Sequence, residues 1–108
     1  MPAKGTAVWS GDLKSGDGKF TAGDSISGEY SFRTRFEDAP GANPEQLIAG
    51  AHASCFSMAL SNVLSEGGNA PDSVQTEATV TLRVLDDGPS ITKIHLECKA
   101  RVPGIDEA

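Results

Sequence analysis

The two cysteines are the residues of this sequence best suited to covalent chemistry, and their surroundings differ. Cys98 alternates with Leu96 and Ala100, which places it on the apolar face of a strand and predicts a buried, unreactive thiol. Cys55 lies in a long segment of small and apolar residues, three positions after His52. It is either a second packed thiol or a nucleophile.

A nucleophilic Cys55 requires a positive charge nearby. The thiolate is the reactive form, and a free thiol with an ordinary pKa of about 8.5 is ionised to only a few per cent at neutral pH. The dipole of a helix acts only on groups within the first turn, and Cys55 lies too far from the start of its helix to benefit. Arg33 and Arg35 precede the loop to the segment that carries Cys55. They are either solvated strand residues or the cation that favours the thiolate, because arginine keeps its charge when partly buried.

His52 and Glu45 are candidates for supporting roles. Residues three apart share one helix face, so His52 could act as a base for Cys55 in acyl transfer. A hydrogen-bonded interior or interface histidine is the alternative. Glu45 lies in the predicted first turn of the same helix, where the dipole favours a carboxylate. Because ten residues of helix rise about 15 Å, Glu45 meets a Cys55 only across a dimer interface or after a break near Gly50.

Composition and motif spacing exclude several classes of protein. The length of 108 residues predicts a single domain over 1–108. Nine basic against fifteen acidic residues give a net charge of −6, which argues against a nucleic-acid partner. The cysteines and histidines lack zinc-site spacing, and the chain has no glycine-rich phosphate loop, so we expect no metal and no cofactor. We see neither an apolar run long enough to cross a membrane nor a signal peptide, and therefore expect a cytoplasmic protein without a membrane partner.

The order of predicted elements indicates an α+β fold. Turns of glycine, serine and aspartate separate three short strands in the first third of the chain, which is typical of an antiparallel meander. The third strand is the clearest, because aromatic residues and threonine alternate with serine and arginine. The predicted strands are Thr6–Trp9, Lys19–Ala22 and Glu29–Phe36.

A long central helix follows the meander. Asn43 is the predicted N-cap, with Pro44 at the first helical position and Gln46 three residues after the cap. Gly67 and Gly68 end the helix after about 23 residues, or ~34 Å, in a domain whose radius of gyration would be only ~13 Å. The helix is apolar on most sides, so we predict that it is buried. A chain this short offers little to cover it, which indicates a partner subunit.

A C-terminal β-hairpin is predicted to lie on the central helix. Apolar and polar residues alternate over Ser73–Leu85 and again over Ser90–Val102. The turn between these strands falls at Asp86–Pro89.

Motifs spread along the whole chain point to one protein family. They are Gly5–Trp9 with Gly11 and Asp12, Thr34–Glu37, Asn43–Ile48, Ala51–Leu60, Ile91–Ile94 and Val102–Ile105. Together they resemble the OsmC branch of the OsmC/Ohr family, the osmotically inducible and organic-hydroperoxide-resistance proteins. The central block, an Asn-Pro-Glu cap followed by Ala-x-x-x-Cys-Phe, is the specific part of the resemblance.

The resemblance implies a thiol peroxidase that reduces organic hydroperoxides and hydrogen peroxide. It also implies an intertwined OsmC-like homodimer with active sites at the subunit interface. By position, Cys55 would be the peroxidatic thiol, Arg35 the arginine that favours the thiolate and steadies the peroxide, and Glu45 the carboxylate that orients this arginine. His52 and Arg33 stay candidates for a supporting role around them. The resemblance implies no cofactor, and an external thiol or dithiol would be the reductant.

The chain departs from the family pattern in its second cysteine. Members of the family use a resolving cysteine in a helix near the C-terminus, and Cys98 does not match that motif. We therefore expect a C-terminally truncated member whose reaction stops at the sulfenic acid unless an outside thiol resolves it. Two alternatives stay open: a structural or ligand-binding homodimer without turnover, and a hydrolase or transferase that uses His52 as its base.

Overall fold

A computed structural model describes residues 2–37 and 39–104 of the chain. Its elements are β1 (Gly5–Ser10), β2 (Asp17–Ala22), β3 (Ile26–Tyr30), α1 (Phe32–Phe36), α2 (Pro44–Glu66), β4 (Ser73–Leu85) and β5 (Gly88–Arg101). The predicted α+β class is confirmed. The residues group into two compact units, one ending at Leu47 and one beginning at Ile48. The single domain over 1–108 stays a prediction, and the end of the last family motif, from Ile105, lies outside the described residues.

The N-terminal unit contains the predicted antiparallel meander, with strand order β1–β2–β3. Its core is aromatic: the ring centroids of Trp9 and Tyr30 lie 5.5 Å apart, and those of Phe20 and Tyr30 lie 6.1 Å apart. Gly18 lies under these rings, and a Cβ at this position would come within 2.7 Å of Tyr30 and 2.8 Å of Trp9. The close packing of the rings on β2 therefore requires glycine.

The turn between β1 and β2 is stabilised by Asp12 and Trp9. The Trp9 indole donates to the carbonyl oxygen of Gly11 at 3.1 Å. The Asp12 carboxylate accepts hydrogen bonds from the hydroxyl and the backbone N–H of Ser15. These two bonds, the hydroxyl first, hold the pKa of the Asp12 carboxyl below its ordinary value.

The third strand is shorter than the sequence pattern predicts, and the interpretation of Glu29–Phe36 as one strand is wrong after Tyr30. Strand β3 ends at Tyr30, and Phe32–Phe36 form helix α1. Ser31 caps this helix: its hydroxyl accepts from the N–H of Thr34 at 3.3 Å, and the Thr34 hydroxyl accepts from the N–H of Ser31 at 2.8 Å. This capping box outweighs the period-two alternation, so Arg33 and Arg35 lie on a helix rather than on a strand face.

The predicted limits of the central helix are confirmed. Helix α2 begins at Pro44, and the Asn43 side chain accepts from the N–H of Gln46 at 2.8 Å as an N-cap. The helix ends at Glu66, followed by Gly68 with a φ of 85°. It is continuous through Gly50, which removes the alternative of a break there.

The prediction that α2 is buried is wrong for the chain by itself. Glu45 is its one buried residue in the described part of the chain. Met58 is 77% exposed and Val63 is 63% exposed. The half-buried residues from Ile48 to the end of the helix follow a single stripe, formed by Ala49, Ala53, Ser57, Leu60, Ser61 and Leu64. A two-stranded hairpin covers one side of a helix, and an apolar helix needs cover on the others.

Helix α2 also corrects the expectation that no segment is long enough to cross a membrane. By length and composition alone it passes that test. The core helix of a soluble protein passes the same test.

The predicted C-terminal hairpin is confirmed, but its turn is shorter than predicted, because Gly88 and Pro89 belong to β5 and pair with β4. Strands β4 and β5 pair antiparallel along their whole length, with a two-residue turn before Gly88, whose φ is 118°. The pairing shifts register between Thr81 and Leu82. Alternate residues of β4 are half-buried on its apolar face, namely Val74, Thr76, Ala78, Val80 and Leu82. The hydroxyl of Ser57 on α2 donates to the hydroxyl of Thr76 on this face at 2.7 Å.

Candidate functional site

Cys55 is an exposed free thiol near the middle of α2. The direction of its side chain follows from its position in the helical repeat relative to Ser57. Ser57 bonds to the hairpin, and residues two apart on a helix point about 200° from one another. Cys55 also lies outside the half-buried stripe that includes Ala53 and Ser57. The thiol therefore faces away from the hairpin of its own chain.

Cys98 is also an exposed free thiol, so the prediction of a buried cysteine is wrong. The alternation placed it on the correct face: it pairs with Thr76 across the hairpin, and the Thr76 hydroxyl donates to its Sγ at 3.5 Å. The described residues put no second layer over this part of β5, which leaves the face open. Because Cys55 points away from the hairpin, the two thiols of one chain do not face each other.

Arg35 and Glu45 form an ion pair at the start of α2. The Nε of Arg35 on α1 donates to Oε1 of Glu45 at 2.8 Å. The Glu45 side chain is only 9% exposed, whereas that of Arg35 is 38% exposed. A charge-assisted bond to a buried carboxylate orients the guanidinium while leaving it open to solvent.

Asn43 joins the two helices that carry this pair. Its amide oxygen caps α2, and its amide nitrogen donates to the carbonyl oxygen of Thr34 on α1 at 2.8 Å. The sequence predicted the cap and missed the second bond. One side chain thus holds the end of α1 against the first turn of α2, where Arg35 and Glu45 meet.

The second oxygen of Glu45 is unusual. Oε2 is buried and has no hydrogen-bond partner among residues 2–37 and 39–104. An unsatisfied buried acceptor costs about 1–3 kcal/mol, and more when it is charged, so such a group calls for a specific explanation. The bond to Arg35 gives Glu45 a role beyond that of a first-turn carboxylate, which was its ordinary interpretation from sequence.

An apolar cavity of about 260 Å³ opens beside Arg35. Its lining residues are Trp9, Leu13, Tyr30, Ser31, Phe32, Arg35 and Phe36. The Arg35 guanidinium carbon lies 5.4 Å from the centre of the Phe36 ring. The cavity thus combines aromatic walls with one cation. No sequence motif indicated this cavity, although the aromatic residues around Arg35 were the available signal.

Both remaining candidates, Arg33 and His52, are exposed. Arg33 is 73% exposed at its side chain and pairs with Glu37 at 3.4 Å in the next turn of chain. His52 is exposed on the same side of α2 as Cys55. In the described part of the chain, no three His, Cys, Asp or Glu residues are arranged to hold a metal ion.

Comparison with known proteins gives a consistent set of matches. Residues 36–108 match the family model described as OsmC-like protein. The chain is 50% identical over 105 residues to the protein named Peroxiredoxin OsmC of Escherichia coli K12, which covers 95% of this chain and 73% of the relative. The protein of the same name from Shigella flexneri matches equally. Organic hydroperoxide resistance protein-like 1 of Staphylococcus epidermidis is 33% identical over 69 residues, 63% of this chain and 48% of that protein.

Proposed function

This chain belongs to the OsmC-like protein family, and from that premise we propose that it is a thiol-dependent peroxidase that reduces organic hydroperoxides and hydrogen peroxide through Cys55. The names of its relatives support a peroxidase activity for the family. Cys55 is exposed, as a peroxidatic thiol must be to meet its substrate, and its place in the Ala-x-x-x-Cys-Phe motif distinguishes it from Cys98, which is also exposed.

In the proposed reaction the Cys55 thiolate attacks the distal oxygen of the hydroperoxide. The S–O bond forms as the O–O bond breaks, so the sulfur is oxidised to a sulfenic acid and the peroxide is reduced. The proton that the thiol gave up returns to the departing oxygen, which leaves as an alcohol, or as water from hydrogen peroxide. An external thiol then condenses with the sulfenic acid, which loses water and forms a mixed disulfide. A second thiol attacks this disulfide, which releases the Cys55 thiol and leaves the two external thiols joined as a disulfide.

Arg35 and Glu45 are the residues that we propose assist this step. The Arg35 guanidinium would stabilise the thiolate and the negative charge that develops on the departing oxygen. The 2.8 Å bond from Nε to Glu45 supports an orienting role for the carboxylate, because it holds the guanidinium in one position. We propose that His52 and Arg33 surround the site and take no direct part in the reaction.

We further propose that the site is completed in a homodimer, with Arg35 and Glu45 of one protomer next to Cys55 of its partner. The rise of the helix separates Glu45 from the cysteine of its own chain, and α2 is continuous through Gly50. The uncovered apolar side of α2, with Met58 and Val63 exposed, supports a second subunit over it.

The proposed preference for organic hydroperoxides rests on the cavity beside Arg35. Its aromatic walls would take the hydrocarbon part of an organic hydroperoxide while Arg35 meets the peroxide oxygens. Hydrogen peroxide has no group to occupy this space, so we expect it to be the poorer substrate.

Peroxide consumption with dithiothreitol as the reductant tests the proposal. We expect the wild-type chain to consume cumene hydroperoxide faster than hydrogen peroxide. Cys55→Ser should abolish consumption, while Cys98→Ser should retain it. After one turnover without reductant, a dimedone probe should label Cys55 as the sulfenic acid. A Cys55 that reacts with cumene hydroperoxide no faster than a free thiol would overturn the proposal.

The alternative is a structural or ligand-binding homodimer of the same fold that no longer turns over. The orientation of Cys55 away from the hairpin that carries Cys98 favours it, because the described residues then offer no resolving partner within one chain. The rate at which cumene hydroperoxide oxidises Cys55 distinguishes the two functions, because a rate no faster than that of a free thiol favours the alternative. Retained peroxide consumption in His52→Ala, together with no activity of the wild-type chain on esters, would exclude the hydrolase or transferase hypothesis.

A further inference from the structure

Thr76 is a polar exception on the apolar face of the hairpin. Its neighbours on that side of β4 are Val74, Ala78 and Val80, all half-buried as it is. The hydroxyl accepts a hydrogen bond from Ser57 at 2.7 Å and donates one to the sulfur of Cys98 at 3.5 Å. Because the Thr76 hydroxyl donates its proton to sulfur, its oxygen is free to accept from Ser57. Ser57 therefore donates to Thr76, and Thr76 donates to Cys98.

Little else determines the rotation of α2 against the hairpin. No described residue from Ile48 onward is buried, and the contact side of the helix consists of small residues and two leucines. Hydrophobic contact is non-directional and tolerates rotation of such a surface, whereas a hydrogen bond at 2.7 Å does not. The pair Ser57–Thr76 is therefore the directional contact between the two elements.

We propose that Ser57 and Thr76 are positioning residues that set the rotation of α2 so that Cys55 faces away from the hairpin. The serine lies two residues after the cysteine, which is the spacing that directs the two side chains to opposite sides of a helix. Without this bond the helix rotates more freely, and the thiol spends less time on the side from which substrate and the second subunit approach. The consequence for catalysis rests on the proposed function, whereas the effect on helix rotation does not.

The first test measures helix rotation without using activity. Nitroxide labels are attached to Cys55 and to an introduced cysteine, Gln75→Cys, in a Cys98→Ser background that keeps a hydrogen-bond acceptor at 98. The labelled protein is diluted with unlabelled chains that carry Cys55→Ser and Cys98→Ser, so that only distances within one chain are read. We expect a single narrow distance distribution, which Ser57→Ala and Thr76→Val both broaden and shift. An unchanged distribution in both variants overturns the proposal.

Two matched variants separate positioning from a general loss of stability. Ser57→Thr keeps the hydroxyl and should restore the narrow distribution. Ser61→Ala removes a serine one turn further along the same side, which makes no hydrogen bond to the described part of the hairpin, and should leave the distribution narrow. Urea unfolding of each variant confirms that the labelled chains are folded. Broadening in Ser61→Ala as large as in Ser57→Ala would contradict the assignment to one bond.

The second test uses the rate of Cys55 oxidation. In Ser57→Ala and Thr76→Val we expect the rate with cumene hydroperoxide to fall by about tenfold or more, because misplacement of a reacting group by about 1 Å can cost 10²-fold. Alkylation by iodoacetamide, which needs only an accessible thiol, should change far less. If wild-type Cys55 reacts like a free thiol, the proposed function fails while the distance measurement still decides the positioning role. If the peroxide rate is unchanged in variants whose distances shift, the positioning does not serve catalysis.

Discussion

At the scale of single residues, the ion pair Arg35–Glu45 joins one nearly buried charge to one accessible charge. Glu45 is held in the first turn of α2, and its burial distinguishes it from the exposed pair Arg33–Glu37. Exposed pairs of that kind contribute about 0–1 kcal/mol, whereas removing one partner of a buried pair leaves a charge without compensation. Sequence spacing does not separate these cases, because both arginines precede the same loop.

We expect Glu45→Gln to lower both stability and the rate of Cys55 oxidation. Glutamine keeps the shape but leaves the Arg35 charge unbalanced, and because that arginine is partly exposed the loss should be about 1–2 kcal/mol rather than the full buried-pair value. Urea unfolding and stopped-flow oxidation with cumene hydroperoxide are the measurements. Arg33→Gln is the control and should change stability by less than about 0.5 kcal/mol. Equal effects of the two substitutions would contradict the difference in burial.

The cavity beside Arg35 supports a prediction about substrate choice. Phe32→Ala removes one of its aromatic walls, so the KM for cumene hydroperoxide should rise several-fold as apolar contact is lost. Hydrogen peroxide fills none of this space, and its kcat/KM should change little. Steady-state kinetics with both substrates on one protein preparation provide the comparison. Parallel losses with the two peroxides would show that the phenylalanine supports the fold and not the substrate.

At the scale of elements, local capping signals proved stronger than periodicity. The N-cap at Asn43 and the glycine stop predicted the bounds of α2 correctly. Between Ser31 and Phe36, alternation predicted a strand, and the capping box produced a helical turn. The reason is physical: a reciprocal pair of side-chain bonds satisfies two backbone N–H groups within four residues, whereas a strand needs a neighbour to pair with.

Two glycine substitutions should have opposite effects on stability. Gly18→Ala pushes a methyl group into the Tyr30 and Trp9 rings, so we expect a loss of about 1–3 kcal/mol. Gly50→Ala adds a methyl group that meets no atom within 4 Å in the middle of a helix, and should add about 0.5–1 kcal/mol. Urea unfolding of both variants measures the difference. Stabilisation by Gly18→Ala would mean that the rings over β2 are not closely packed.

At the scale of the whole molecule, the chain leaves much of its apolar surface uncovered. The buried residues in the described ranges are Gly18, Phe20 and Glu45, all in the N-terminal unit. From Ile48 onward, the helix and the hairpin cover only part of each other's apolar surface, and the rest is exposed. Apolar surface of this extent is typical of an interface, and it is the physical basis of the proposed homodimer.

We expect Met58→Glu to shift the protein from dimer to monomer. A carboxylate on the apolar side of α2 would have to lose its water in the interface without gaining a partner. Sedimentation velocity measures the mass, and peroxide consumption should fall with dimer content if the partner contributes Arg35. Gln75→Glu, which adds the same charge on the exposed polar face of the hairpin, should stay dimeric. A wild-type chain that sediments as a monomer at micromolar concentration would contradict the proposed assembly.

The sequence by itself determined the α+β class, the limits of the long helix, the hairpin and the family. These follow from interactions between near neighbours in the chain: caps, turn glycines and alternating apolar residues. Only the tertiary structure decided that Glu45 is buried against Arg35, that aromatic residues enclose a cavity there, and that Cys55 and Cys98 are both exposed. Those properties depend on which distant segments meet and on how much apolar surface remains uncovered, and no local pattern of residues encodes either.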